Sequence, residues 1–245
     1  MPAPGELSQE ERVSLRRAHE RLRIASKELE SLVATEPIKG RWKPEGAPAE
    51  ILDAAREELE RAYSGLAVCE AEILGWEARA STIEVLDRDR RLCFSFEDLM
   101  RYHGPGSPGG VAHAFKVMER AFGPLDSSAP PHRREITITT AFGGPGARDG
   151  FEMVTRAVTG DRYVLDPALA RPERGTALER FVFRVGYRGR SVTLALREGY
   201  VSDDFIALAR KERSPDEEAQ LDVLKQEMAR RVMSSPAREV YDVEK

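Results

Sequence analysis

Phe181-Val182-Phe183-Arg184-Val185-Gly186-Tyr187-Arg188-Gly189-Arg190-Ser191-Val192-Thr193-Leu194-Ala195-Leu196 is the stretch on which the fold class turns. Two runs rich in β-branched and aromatic residues flank Arg188-Gly189-Arg190, which is the pattern of a β-hairpin. Upstream, Glu135 to Phe142 sets Ile136, Ile138 and Thr140 against Thr137 and Thr139, a period of two that predicts a strand with one buried face. Helical signals lie between and around these strands. Ser95 followed by Asp98 caps a short helix over Phe96 to Tyr102. Ser107 and Pro108 open another, with Val111, Ala114, Phe115, Met118, Ala121 and Phe122 on one face and Gly123-Pro124 as its stop. Asp149 to Thr159 reads as a helix capped by Asp149, and Ser202 caps one that carries Phe205 and Leu208. Ser214 to Glu217 starts a last helix through Leu221, Leu224, Met228 and Val232, with a frayed tail expected after Pro236.

The front of the chain has a different period. Leu15, Ala18, Leu22, Ala25, Leu29 and Leu32 recur at spacings of three and four, a heptad seam, with Ser8 and Glu11 as a capping box ahead of it. Pro37, Gly40, Pro44, Gly46 and Pro48 then break the helix, and a second seam runs from Leu52 through Ala55, Leu59, Ala62, Leu66, Cys69 and Ile73 to Trp76. Two seams of similar length joined by one loop suit an antiparallel helical hairpin. The fold class is therefore α+β: an N-terminal antiparallel helical hairpin, a central mixed β-sheet with flanking helices, and a C-terminal helix expected to dock on the hairpin. The expected segments are 1–92 for the hairpin and a connecting helix, 93–212 for the α+β domain, and 213–245 for the C-terminal helix and tail.

Composition narrows the function classes. Hydrophobic residues make up 41% of the chain and charged ones 33%, enough for a core and a solvated surface. The formal net charge of −4, with Lys and Arg interleaved among Asp and Glu, gives no basic face for nucleic acid. No run of about 18 apolar residues suggests a membrane span, and the N-terminus lacks a secretory pattern. Two cysteines, Cys69 and Cys93, are too few for a disulfide framework, so a reduced, cytoplasmic protein is expected. An uncovered helical seam also suits pairing with a second copy, which makes a homodimer an expected partner state.

Among candidate site residues, His103 stands where a Gly-rich turn meets a helix start, a setting that suits an anionic or carboxylate-bearing small ligand. Ser107 opens that helix and His113 lies ten residues beyond His103. Gly144, in Gly143-Gly144-Pro145-Gly146, and Asp149 border the same expected cleft; the loop matches neither the P-loop nor the dinucleotide fingerprint. His103 with Asp149 or Glu152 would also serve as a general acid/base pair.

The order His103-Gly104-Pro105-Gly106-Ser107-Pro108-Gly109, then Asp149-Gly150-Phe151-Glu152-Met153-Val154-Thr155-Arg156-Ala157-Val158, then the hairpin Phe181–Leu196 resembles the E-subunit family of formylmethanofuran dehydrogenase from Phe94 to about Lys211. That family opens on a His-Gly-His-x-Cys-Pro-Gly turn and carries a Thr-Gly-Cys-Thr helix, and its members look like metal-site proteins. In this chain Pro105 takes the place of the second His, Ser107 that of the first Cys and Ala157 that of the later Cys, leaving His103 as the one retained metal ligand. The resemblance implies a protein that binds a small ligand or a metal-bearing cofactor on a degenerate domain of this family, with zinc or iron as the metals it would bring. The alternatives are an enzyme using His103 as general acid/base, and an assembly protein acting through its helical hairpin.

Overall fold

A computed structural model of the chain describes residues 8–33, 51, 53–59, 61–62, 65 and 81–244. Its contacts divide the chain into two compact units, with the break between Ile73 and Leu74. This differs from the three expected segments: residues 83–92 and 213–245 belong to the same unit as the α+β core.

In the first unit, α1 (Gln9–Val33) starts on the capping box, the Ser8 amide donating to Glu11 Oε2 at 2.6 Å and the Glu11 amide to Ser8 Oγ at 3.2 Å. Leu15 and Ala25 of the seam are buried, and Ala18, Leu22 and Leu29 half-buried. Residues 51, 53–59, 61–62 and 65 are helical, with Ala55 and Ala62 buried. The Pro/Gly break and the rest of the second seam, Cys69 included, lie outside the described residues.

The second unit runs β1 (Ile83–Asp87), β2 (Arg90–Phe94), α2 (Phe96–His103), α3 (Pro108–Leu125), β3 (Ile136–Thr140), α4 (Pro145–Thr155), β4 (Tyr163–Leu165), β5 (Val182–Tyr187), β6 (Arg190–Leu196), α5 (Asp203–Ala209), α6 (Pro215–Met233), α7 (Ala237–Val240) and β7 (Tyr241–Glu244). The connecting helix expected before residue 93 is instead the antiparallel pair β1–β2. Ile83 and Val85 are buried and alternate with Glu84, a period of two, and Arg88 takes the left-handed conformation (φ 57°) that turns the ladder back.

The main sheet has the order β4-β3-β5-β6-β7. It is mixed: β3 and β4 are parallel, and the other neighbours are antiparallel. The β5–β6 hairpin turns at Arg188 and Gly189, with φ of 49° and 77°, the two positive values that a twist-matched two-residue turn requires. The C-terminal tail is not frayed. It forms α7 and β7, and Tyr241 is fully buried.

Helix α3 is the hub. Pro108 to Met118 is buried on every side, because α4, α6 and the sheet all pack on it. Gly109 admits α6, since a Cβ there would stand 2.7 Å from Met228 Sδ. Helix α4 comes closer still: a Cβ on Gly146 would meet the Ser107 carbonyl oxygen at 2.3 Å, one on Gly110 the Ala147 amide at 2.9 Å, and one on Gly150 the Ala114 methyl at 2.9 Å. Small residues four apart on each helix, Gly110 with Ala114 and Gly146 with Gly150, therefore let the two backbones touch. Pro124, expected to stop α3, lies in its last turn, and the helix ends at Leu125 with Asp126 as its C-cap.

Candidate functional site

Helix α2 ends at His103, stopped by Gly104 at φ 82°, and begins on a complete Ser95–Asp98 capping box. The hydrogen bonds that Ser95 gives Asp98 hold that carboxyl below its ordinary range. With both ends of α2 fixed, the chain turns through Gly104–Gly106 into α3, and α4 lies alongside both helices. Asp149 sits inside α4 rather than capping it as expected. Pro145 takes the first helical position and Gly144 the N-cap, so the helix starts one turn earlier than Asp149 suggests.

This places His103 Nδ1 2.8 Å from Asp149 Oδ2, across 46 residues of sequence. The His103 side chain is 8% exposed and that of Asp149 30%. An ionised carboxylate can only accept, so Nδ1 carries the proton of this bond and Nε2 faces away with its lone pair when the ring is neutral. Nε2 is buried and has no hydrogen-bond partner among the described residues. Arg148, more than half exposed, sets its guanidinium 3.6 Å from Asp149 Oδ1.

Ser107 joins this corner. It precedes α3 yet makes no side-chain cap bond, and its backbone and Cβ lie against Gly146 of α4. Gly146 and Asp149 are three residues apart on one helix face, so Ser107 and His103 abut α4 about 5 Å apart along its axis. Gly144 is the N-cap of α4 and packs beneath the Phe142 ring.

His113 is not part of this corner. Its Nδ1 lies 2.7 Å from the Tyr241 hydroxyl, and its ring packs against Phe181 at 4.9 Å and Phe142 at 6.3 Å. It is fully buried, and burial alone drives its pKa down to about 3. Burial likewise raises that of Tyr241. The expected placing of His113 at the ligand cleft gives way to a core histidine, since this position of α3 faces the sheet.

Glu152 is not the partner of His103 either. Its carboxylate accepts from the amides of Val158 (2.8 Å) and Thr159 (3.1 Å) and from the Thr159 hydroxyl (2.7 Å). Burial would raise its pKa, but these bonds and Arg156 hold it below the ordinary value. It closes the loop after α4.

Sequence reasoning missed the groups that fix α4 from its far end. Arg133 donates to the carbonyls of Met153 and Val154, and Arg162 to those of Thr155 (3.0 Å) and Arg156 (2.7 Å). The carbonyls of Met153, Val154 and Thr155 are ones that a helix C-terminus leaves without an intrahelical partner. No local pattern marks an arginine for that task.

The chain matches no known family model, no curated protein and no solved structure.

Among the described residues no group of three or more His, Cys, Asp or Glu could hold a metal ion, and His103 has one carboxylate beside it. No helix among them is long and apolar enough to cross a membrane. A groove of about 420 Å³ lies elsewhere, between β1–β2, the end of α3 and the loop to Pro131, and none of the five candidate residues lines it. Its carboxylates are already engaged: Glu119 by Ser81 and Lys116, Glu84 by Arg91, Asp126 by Ser128.

Proposed function

We propose that the chain binds a small ligand where α2, α3 and α4 meet, and that His103, oriented by Asp149, is the group that touches it. The observation that carries this reading is the 2.8 Å bond from Nδ1 to Asp149 combined with a buried, unpartnered Nε2. A buried polar atom without a partner costs about 1–3 kcal/mol, so such atoms concentrate where something else completes them. The resemblance of residues 94–211 to the E-subunit family of formylmethanofuran dehydrogenase supports a ligand at this turn. It does not extend to the metal, for with Ser107 and Pro105 at two ligand positions the donors fall short of the three or four that zinc requires.

The test is a thermal-shift screen of the whole chain against small carboxylates, phosphates and their esters, repeated on His103→Gln. At least one compound should raise the melting temperature of the wild type and leave the variant unmoved. If every active compound stabilises both proteins equally, His103 is not the contact. Elemental analysis of the purified protein bears on the metal: one equivalent of zinc or iron, lost in His103→Ala, would overturn the metal-free reading.

A second reading is favoured by the same carboxylate. An aspartate that fixes the tautomer of a histidine is the arrangement of a general base, with Nε2 as the atom that takes the proton. On that reading Asp149→Asn lowers turnover of a bound substrate far more than its affinity. A fall in affinity alone would leave binding as the whole function.

A further inference from the structure

The starts of α3 and α4 lie side by side, in main-chain contact at Gly146, Ser107 and Gly110. In each, the first turn has amides with no acceptor among the described residues: those of Gly109 and Gly110 in α3, and of Gly146 and Ala147 in α4. The first intrahelical bonds are made only by Val111, to Ser107, and by Arg148, to Gly144. All four residues are buried. Buried amides nearly always have partners, and two helix N-termini side by side favour negative charge.

Helix ends alone mark no site, but here independent observations coincide. His103, with a side chain only 8% exposed, bonds Asp149, three residues along α4 from the Gly146 that Ser107 touches, and its Nε2 is buried without a partner among the described residues. The Ser107 hydroxyl is committed to no hydrogen bond among the described residues. Arg148 adds a half-exposed cation on the α4 surface beside Asp149, offsetting that carboxylate. The first-turn amides are donors, the Ser107 hydroxyl can donate as well as accept, and His103 Nε2 donates when the ring is protonated.

We infer that the ligand is recognised through an oxyanion, a carboxylate or a phosphate, held by Ser107, His103 and the first-turn amides of α3 and α4. This rests on the reading of His103 as the ligand-contacting group, and it assigns Ser107 the second contact. A hydroxyl suits an oxyanion, which it can meet with a charge-assisted bond.

The experiment uses the full chain with ¹⁵N labelling, titrated separately with inorganic phosphate and with acetate. Backbone amide shifts are read at Gly109, Gly110, Gly146 and Ala147, and ring-nitrogen shifts at His103. At least one anion should move all four amides and Nε2 together in a saturable way; which one does so distinguishes phosphate from carboxylate. Ser107→Ala should weaken binding about tenfold or more, the effect of losing a hydrogen bond to a charged group, and Ser107→Thr should restore most of it. If the wild type binds and His103→Gln abolishes binding while Ser107→Ala binds as before, the oxyanion assignment through Ser107 fails and the His103 reading stands. If neither anion moves these amides, the oxyanion assignment fails. If binding occurs but ignores both substitutions, the His103 reading fails with it.

Discussion

His103 and His113 belong to neighbouring helices, and each has one ring nitrogen satisfied and the other buried without a partner among the described residues. Their surroundings differ. His113 sits in an aromatic cluster of Phe142, Phe181 and Tyr241, its partner is a neutral phenol, and burial removes its basicity. His103 sits at a helix end beside a carboxylate that keeps contact with water and with Arg148. Burial of the ring is common to both, so burial does not make a site. What separates them is the partner: a neutral phenol in the core for His113, and for His103 a carboxylate at the rim that is itself part exposed.

Three substitutions or conditions probe that contrast, the largest effect first. Tyr241→Ala removes a fully buried aromatic side chain and the hydroxyl that meets His113, and should destabilise the fold by roughly 3–5 kcal/mol in chemical denaturation. A loss under about 1 kcal/mol would show that β7 is not part of the core that holds His113. The His103 corner should respond to ligand as before in any variant that remains folded.

Acid comes next. The folded-state pKa of His113, about 3, lies below the 6.5 of the unfolded chain, so below pH 6.5 the unfolded state binds a proton that the native state refuses. Stability is therefore full above pH 6.5 and falls as pH drops, levelling off only below about 3. By pH 5 the loss should reach about 2 kcal/mol, before carboxylates contribute. In His113→Leu the slope between pH 6.5 and 5 should lose this contribution and become shallower than that of the wild type, whatever the starting stability of that variant. An unchanged slope would place the titrating group elsewhere.

The smallest effect on the fold belongs to Asp149→Asn. Its carboxylate is 30% exposed, and solvent screens the pair, so stability should change by less than about 1 kcal/mol. Ligand response at His103 should nonetheless fall, since an amide can present a donor to Nδ1 and reverse the ring tautomer. A stability loss above about 2 kcal/mol with an intact ligand response would make the pair structural, like that of His113.

Local chemistry is legible in the sequence where one residue does one job. The capping boxes at Ser8, Ser95 and Ser214, the turn at Arg188-Gly189, and the alternation at Ile136 and Ile138 all appear in place. What escapes depends on partners far along the chain. Gly143-Gly144-Pro145-Gly146 reads as a loop, but Pro145 and Gly146 open α4, and Ser107, far back along the chain, leaves no room there for a side chain. The tail after Pro236 lacks a strong pattern, and Tyr241 is ordered by a pocket that β5 and α3 build. His113 reads as a neighbour of His103 because the two are close in sequence; the direction of a side chain around a helix is set by what packs on it. The pairing of His103 with Asp149 follows from residue type, and its distance comes only from the folded chain.

The contact between Gly146 and the Ser107 carbonyl has a consequence for how this corner can drift. Elsewhere in the core a methyl lost on one side can be made good by a methyl gained on the other, and the elements slide a little each time. Here main chain rests on main chain, and the gap is set by atomic radii that no exchange of side chains alters. The distance from Ser107 to α4, and with it the platform under His103, acts as a mechanical stop, so the surrounding residues can be traded while the spacing stays put.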